Sequence, residues 1–171
     1  DERQRSLTIF RLDADTRELD SAQAVQRVEL GTVGDSNKGF EGLAWDPRNQ
    51  RLLLANEKNP VRLFSLACDG RRVSGPLQAL GDLDGYVTDV AGLSVDSRSG
   101  QLLALSQESH LLLGLDPQLR AQSFLALLPG LNGLTRRVPQ AEGLALDNAG
   151  NLYVVSERNL FFAFQREVSA P

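Results

Sequence analysis

One short phrase occurs three times in this chain, and its regular spacing constrains the fold more than any other feature. The copies occupy residues 39–46, 89–96 and 140–147, and each contains a Gly-Leu pair followed by an aspartate three residues after the leucine. The glycines of the pairs are about 50 residues apart. A period of this length, built from short apolar runs and turns, is typical of a propeller or a solenoid.

Each copy is followed by the same series of segments, which predicts four antiparallel strands per repeat. In the first complete repeat the predicted strands cover residues 42–45, 51–55, 61–66 and 75–80, and turns rich in Pro, Gly and Asn separate them. Four strands in a repeat of this length are typical of a β-propeller blade. We therefore predict an all-β fold, a β-propeller of four-stranded antiparallel blades, with roughly twelve or more strands and little helix.

The repeats divide the chain into four segments of one propeller. Residues 1–34 match the second half of a blade, residues 35–84 and 85–135 each match a whole blade, and residues 136–171 match an incomplete blade. Propellers close with about four to eight blades, and an open stack leaves unpaired sheet edges. We expect the chain to be a fragment of a larger ring, or to complete a ring with a second chain.

Charge and composition exclude several classes of function. The net charge is -4, which argues against nucleic acid as a partner because phosphate binding requires a basic surface. Cys68 is the only cysteine and His110 the only histidine, so neither an intrachain disulfide nor a cluster of Cys and His ligands is available. No phosphate-binding glycine loop and no nucleophile elbow occurs, and we predict no catalytic residues.

Acidic and amide side chains recur at two fixed places in the repeat. One place precedes the innermost strand, and the other follows the second strand. A hairpin returns to the end at which it started, so both places lie at the same end of a blade. In the middle repeat Ala91 replaces the glutamate, and the nearest acid lies two residues earlier. We predict a cluster at one mouth of the axial channel that consists of Glu41, Glu57, Asp89, Gln107, Glu142 and Glu157.

Three explanations for these converging acids remain open. The acids could accept structural hydrogen bonds from backbone N–H groups and from nearby Lys and Arg, bind a ligand or metal, or take part in catalysis. Ca²⁺ prefers six to eight oxygen ligands, and the candidate metal ligands are Glu41, Glu142 and Asn56. The aspartates that end the innermost strands should instead cap turns at the opposite end: Asp46, Asp96 and Asp147.

Two motifs resemble the SdiA-regulated family of bacterial proteins over nearly the whole chain. They are the Glu-Gly-Leu-Ala phrase at 41–44 and 142–145, and the Asn-Lys-Gly-Phe-Glu-Gly entry at 37–42. Related phrases occur in NHL-type and calcium-dependent lactonase-like propellers. The resemblance implies a six-bladed ring, of which this chain would be a fragment. It also implies a location on the periplasmic side of the bacterial inner membrane, or export, with any membrane anchor outside this chain.

The expected function that follows is a non-enzymatic binding or scaffold domain of the bacterial cell envelope. Its partner would be a small molecule or a protein that the sequence does not identify. The alternative is a calcium-dependent hydrolase, lactonase-like or phosphoesterase-like, in which a central metal polarises the substrate. Bound Ca²⁺ distinguishes the two, because the hydrolase requires it and the scaffold does not.

Overall fold

The computed structural model describes residues 4–31 and 39–166, and these residues form short antiparallel strands with almost no helix. The first sheet pairs β1 (Ser6–Ile9) with β2 (Gln26–Glu29), and the connection between them contains a single 3-10 turn, Ser21–Gln23. The second sheet has the order β3-β4-β5-β6. Its strands are β3 (Phe40–Asp46), β4 (Arg51–Asn56), β5 (Arg62–Cys68) and β6 (Val73–Asp82).

The third and fourth sheets repeat this arrangement. The third sheet has the strand order β7-β8-β9-β10. Its strands are β7 (Gly92–Val95), β8 (Leu102–Ser106), β9 (Leu111–Leu115) and β10 (Ala121–Ala126). The fourth sheet contains three strands, β11 (Ala141–Leu146), β12 (Leu152–Ser156) and β13 (Leu160–Phe164). The prediction of an all-β fold made of four-stranded antiparallel sheets is therefore confirmed.

Aspartates hold the turns between the first and second strands, as the sequence predicts. Asp46 accepts hydrogen bonds from the Asn49 backbone N (3.2 Å) and from Arg51 Nε (2.9 Å). Asp96 and Asp147 close the corresponding turns in the next two sheets. Burial opposes ionisation of Asp46, but hydrogen bonds from Asn49 and Arg51 outweigh it and lower the pKa of this carboxyl.

The apolar core lies between neighbouring sheets, and the repeated Gly-Leu pair forms its inner contact. A Cβ added to Gly42 would lie 2.7 Å from Cγ of Leu93 in the next sheet. A Cβ added to Gly92 would lie 2.9 Å from Cδ2 of Leu144 in the sheet after that. Each glycine therefore leaves the space into which the leucine of the following sheet packs, so the repeat encodes the spacing between sheets.

Arginine side chains bridge the same sheets at the turn end. Nη1 of Arg48 donates to the Ser99 carbonyl (2.9 Å), and Nη1 of Arg98 donates to the Ala149 carbonyl (3.1 Å). Gly100, in the turn that Arg48 contacts, has a φ of 80°, a conformation that favours glycine. These bridges all run from one sheet to the next along the chain, and they fix the register of neighbouring turns.

Two expectations about the whole molecule stay predictions. The division of the chain into blades and the membership of a six-bladed ring are not tested by the sheets described above. No helix within residues 4–31 and 39–166 has the length and apolar character needed to cross a membrane.

Candidate functional site

Two β-bulges determine where the repeated glutamates lie. In the β3–β4 pair, Phe40 is opposite Asn56 and Gly42 is opposite Ala55, so Glu41 is the extra residue of a bulge. The β11–β12 pair repeats this arrangement, with Glu142 as the extra residue between Ala141 and Gly143. A bulge bends its strand and changes the direction of a side chain. Both glutamates are exposed to solvent, whereas the neighbouring Gly42 and Ala141 are buried.

The ends of the second strands bring the other acids to the same edge. The backbone N of Glu57 donates to the Gly39 carbonyl (3.0 Å), and the backbone N of Glu157 donates to the Gln140 carbonyl (3.0 Å). Glu57 and Glu157 therefore lie beside the residues that precede the bulges. Gln140 also donates from Nε2 to the Glu157 carboxylate (2.9 Å).

Asp89 has a structural role in the middle sheet. Its side chain is 4% exposed and accepts hydrogen bonds from Ser106 Oγ, from the Gln107 backbone N (3.2 Å) and from the Glu108 backbone N (3.0 Å). Asp89 therefore accepts hydrogen bonds from the backbone of the turn after β8. In the second and fourth sheets the corresponding N–H group, that of Glu57 or Glu157, donates to a backbone carbonyl instead. Gln107 supplies its backbone N–H to this turn, and its side chain is half-buried.

The mouth formed by these residues has an unbalanced negative charge near the fourth sheet. Partial burial, together with the charges of Glu157, Asp89 and Glu57, raises the pKa of the Glu142 carboxyl. Carboxylates from three sheets are therefore close enough to act on one another. No hydrogen bond or ion pair joins the Glu142 carboxylate to another of the described residues.

A lysine balances part of the charge beside the second sheet. Lys58 Nζ lies 3.4 Å from Oε1 of Glu57 in its own sheet and 2.6 Å from Oε1 of Glu108 in the next. The hydrogen bond to Glu108 is the main cause of a raised pKa for Lys58. This ammonium group therefore joins two sheets at the rim of the mouth.

The positions of the acidic side chains give little support for a tightly bound metal. Among the residues that the structure describes, no group of three or more Asp, Glu, His or Cys side chains could hold a metal ion. Asn56 is buried, and its Nδ2 donates to the carbonyls of Lys58 (2.9 Å) and Pro60 (2.7 Å), so its amide closes the loop after β4. The assignment of Glu41, Glu142 and Asn56 as metal ligands stays a prediction.

Comparison with known proteins identifies the family. The model of the SdiA-regulated family matches residues 1–165. The chain belongs to the SdiA-regulated family. This SdiA-regulated protein is also similar in fold to several solved structures, and it spans about half of the length of the structures it matches.

Three of these solved structures are similar to this chain over more than four fifths of its length. Glutaminyl cyclase of Myxococcus xanthus has a TM-score of 0.55 at 20% identity, with 83% of this chain and 53% of that chain covered. A gluconolactonase of Xanthomonas campestris gives 0.56 at 14% identity, with 85% and 42% covered. A nidogen/laminin complex gives 0.57 at 12% identity, with 87% and 49% covered. At these identities the likeness shows the propeller fold alone.

Sequence reasoning missed three features of this site. The bulges could have been suspected from the glycine that follows each glutamate, because glycine within a strand often marks a bulge. The capping role of Asp89 had a weaker signal, its displacement by two residues from the position of Glu41. The bridge from Lys58 to Glu108 had no local signal, because the two residues belong to different repeats.

Proposed function

We propose that this member of the SdiA-regulated family is a non-enzymatic binding domain of the bacterial cell envelope. Its binding site is the acidic mouth, which we define as Glu41, Glu57, Glu142 and Glu157. The bound group is a cation carried by a small molecule or by a protein. The observation that carries this proposal is the environment of Glu142, where partial burial and then the charges of three further carboxylates raise the pKa of a glutamate that has no hydrogen bond to described residues.

The contacts of Lys58 support an ammonium or guanidinium group as the preferred ligand. Its Nζ already lies between two carboxylates at the rim, 3.4 Å from Glu57 and 2.6 Å from Glu108. The same chemistry near Glu142 and Glu157 would relieve the repulsion between those two acids. Charge-assisted hydrogen bonds of this kind are shorter and stronger than bonds between neutral groups.

The hydrolase alternative has one observation in its favour. Several carboxylates converge in a fold that resembles a protein described as a gluconolactonase. In this alternative, Ca²⁺ would bind to Glu41, Glu142 and Asn56, complete its coordination with water and polarise the substrate. Asn56 is buried and its Nδ2 donates to two carbonyls, so in this alternative it would bind the metal through Oδ1.

Thermal melting with two probes tests the binding proposal. We expect 1,5-diaminopentane at millimolar concentration to raise the melting temperature, because a ligand that binds only the native state stabilises it. Glu142→Gln should abolish the increase. Glu18→Gln is the matched control, since Glu18 is exposed in the connection between β1 and β2, and it should retain the increase.

The same titration with Ca²⁺ separates the alternatives. An increase with Ca²⁺ that Glu142→Gln removes, without any response to the diamine, would favour the metal-dependent hydrolase. The absence of any response to either probe would contradict both proposals. The proposed location is tested separately, by the protection of the protein from added protease in intact cells and its digestion after the outer membrane is opened.

A further inference from the structure

A cavity of about 140 Å³ lies between the second and third sheets, at the end opposite the acidic mouth. Both of these sheets contain four strands. The apolar part of the cavity wall comes from both sheets and consists of Leu53, Leu80, Val95, Leu102 and Leu119. A cavity of about 150 Å³ with walls of this kind admits a benzene molecule. The cavity therefore has room for an apolar group of about six carbon atoms.

Leu119 closes the outer side of this cavity. A Cβ added to Gly81 of β6 would lie 2.9 Å from Cδ1 of Leu119, so this leucine reaches from the third sheet to the outer strand of the second. Its φ is 61°, a conformation that disfavours a bulky side chain. Asp116 holds the turn in that shape, because its Oδ1 accepts hydrogen bonds from the backbone N of Gln118 and of Arg120, both at 2.9 Å. The turn between β9 and β10 therefore positions one wall of the cavity.

Arg51 also lines the cavity, and among the described residues only its Nε has a hydrogen-bond partner. Nε donates to Oδ2 of Asp46 at 2.9 Å, which fixes the position of the side chain. Nη1 and Nη2 form no hydrogen bond with any residue in the described ranges. A guanidinium group presents two parallel N–H donors to a carboxylate, so Arg51 retains the geometry for one such ligand.

A hydroxyl group lies on the same face of the second sheet as Arg51. In the β4–β5 pair, Ser65 is opposite Leu53 and Arg51 is opposite Ala67, so the side chains of Arg51 and Ser65 share a face. Ser65 is 6% exposed, and its hydroxyl has no hydrogen-bond partner within residues 4–31 and 39–166. Arg51 and Ser65 both line a recess beside the cavity. Buried polar groups are usually hydrogen-bonded, so an oxygen atom of a ligand would supply the missing partner.

The two carboxylates in the cavity wall already have donors. Asp46 accepts hydrogen bonds from Nδ2 of Asn49 (2.7 Å) and from Arg51, and Asp116 accepts one from Nε of Arg120 (2.9 Å). Each acid is therefore paired with an arginine of its own sheet. Nη1 and Nη2 of Arg51 are donors, and they favour an anionic ligand over a cationic one.

We propose that this cavity binds a monocarboxylate whose apolar body has about six carbon atoms. Its carboxylate accepts hydrogen bonds from Nη1 and Nη2 of Arg51, and its body packs against the apolar wall that ends at Leu119. Ser65 supplies a further donor beside the carboxylate. This site lies at the opposite end of the sheets from the acidic mouth, so it adds a second ligand, of opposite charge, to the proposed function.

The arginine of the next repeat is not available for this role. Arg98 donates from Nε and from Nη2 to the Asp96 carboxylate, both at 3.1 Å, and from Nη1 to the Ala149 carbonyl at 3.1 Å. Gln101 occupies the position that corresponds to Arg51 in the repeat. We therefore expect one such carboxylate site in the described part of the chain.

Titration with benzoate, followed by nuclear magnetic resonance, tests the proposal. We expect saturable shifts of the amide signals of Val95 and Leu119, with a dissociation constant of about 1 mM or lower. Acetate has the charge without the apolar body, and benzyl alcohol has the body without the charge. Each should therefore bind at least about tenfold more weakly than benzoate.

Three variants locate the binding site. Arg51→Lys keeps a cation beside Asp46 but loses the pair of parallel donors, so it should weaken benzoate binding at least about tenfold. Val95→Phe fills the apolar end of the cavity and should weaken binding equally without lowering the melting temperature. Arg62→Lys is the matched control, since Arg62 is paired with Asp82 at the other end of the same sheet, and it should retain the affinity of the wild type.

Three results would each overturn the proposal. The first is the absence of saturable shifts with benzoate up to about 10 mM. The second is binding of benzyl alcohol as tight as that of benzoate. The third is an unchanged affinity for benzoate in Arg51→Lys, with circular dichroism showing that this variant keeps the strand content of the wild type.

Discussion

Replacement of Gly42 by alanine should destabilise the fold, because the space beside this glycine is already occupied by the next sheet. The added Cβ would lie 2.7 Å from the branched Cγ of Leu93 and 3.0 Å from the Cβ of Ala55. Neither atom is the free end of a flexible side chain. Overpacking of a core costs about 1–3 kcal/mol, and the loss of glycine flexibility in the unfolded chain returns about 0.4–1 kcal/mol. We expect a net loss of roughly 1–2 kcal/mol.

Alanine substitutions at two further glycines serve as comparisons for Gly42→Ala. Gly92→Ala should cost less, since its close contact at 2.9 Å is with Cδ2 of Leu144, a terminal methyl group that can rotate away. Gly85→Ala should be neutral or slightly stabilising, because no atom lies within 4 Å of its added Cβ. Urea unfolding at one protein concentration measures all three, and Gly42→Ala should lower the midpoint by roughly 0.5–1 M. If Gly42→Ala and Gly85→Ala unfold at the same midpoint, the packing argument is wrong.

Two other predictions concern the mouth. Asp89→Ala should lower the free energy of unfolding by roughly 2–4 kcal/mol, because it leaves the buried hydroxyl of Ser106 and two turn N–H groups without their acceptor. Asp89→Asn should cost less in the same urea measurement, since one acceptor oxygen remains, and equal losses would contradict a capping role. Glu142→Gln should stabilise the fold at pH 7 by less than about 1 kcal/mol, because partial burial and then repulsion by neighbouring carboxylates disfavour the charged glutamate, while water screens that repulsion. A raised pKa in the folded state means that stability is lost as pH rises through that pKa, so the advantage of the variant should shrink as pH falls towards 4.5. An advantage that is constant with pH would exclude this charge effect.

The strands were predictable because turn residues flank them in every repeat. β4 begins at Arg51, where the sequence places it, and ends at Asn56, one residue beyond the predicted 51–55. The outer strand β6 is longer than predicted, Val73–Asp82 rather than 75–80. Gly75 has a φ of 72° and precedes a proline, two features that often interrupt a strand. β6 nevertheless continues through Gly75, with shifts in its pairing to β5.

Contacts between repeats were much harder to predict than the strands within them. The bridge from Arg48 to the Ser99 carbonyl and the ion pair from Lys58 to Glu108 each join residues about 50 positions apart. No local pattern predicts such pairs, because each partner is also a plausible surface residue of its own turn. Only the position of neighbouring sheets, which follows from the packing of glycine against leucine, brings these groups within hydrogen-bonding distance.

The three repeats differ at the residue before the glycine, which takes no part in the contact between glycine and leucine of neighbouring sheets. The glycine is retained at 42, 92 and 143, where its close neighbours are side chains of the adjoining sheet or strand. The residue before it is an exposed glutamate in two sheets and a buried alanine, Ala91, in the sheet between them. The acids are therefore concentrated on the second and fourth sheets.

Beside the second sheet Lys58 balances the negative charge, whereas around Glu142 the charges of neighbouring carboxylates add. A cationic ligand should therefore bind more strongly at the fourth sheet than at the second. Glu142→Gln should consequently weaken binding of the diamine more than Glu41→Gln does, and the reverse order would exclude this distribution of charge.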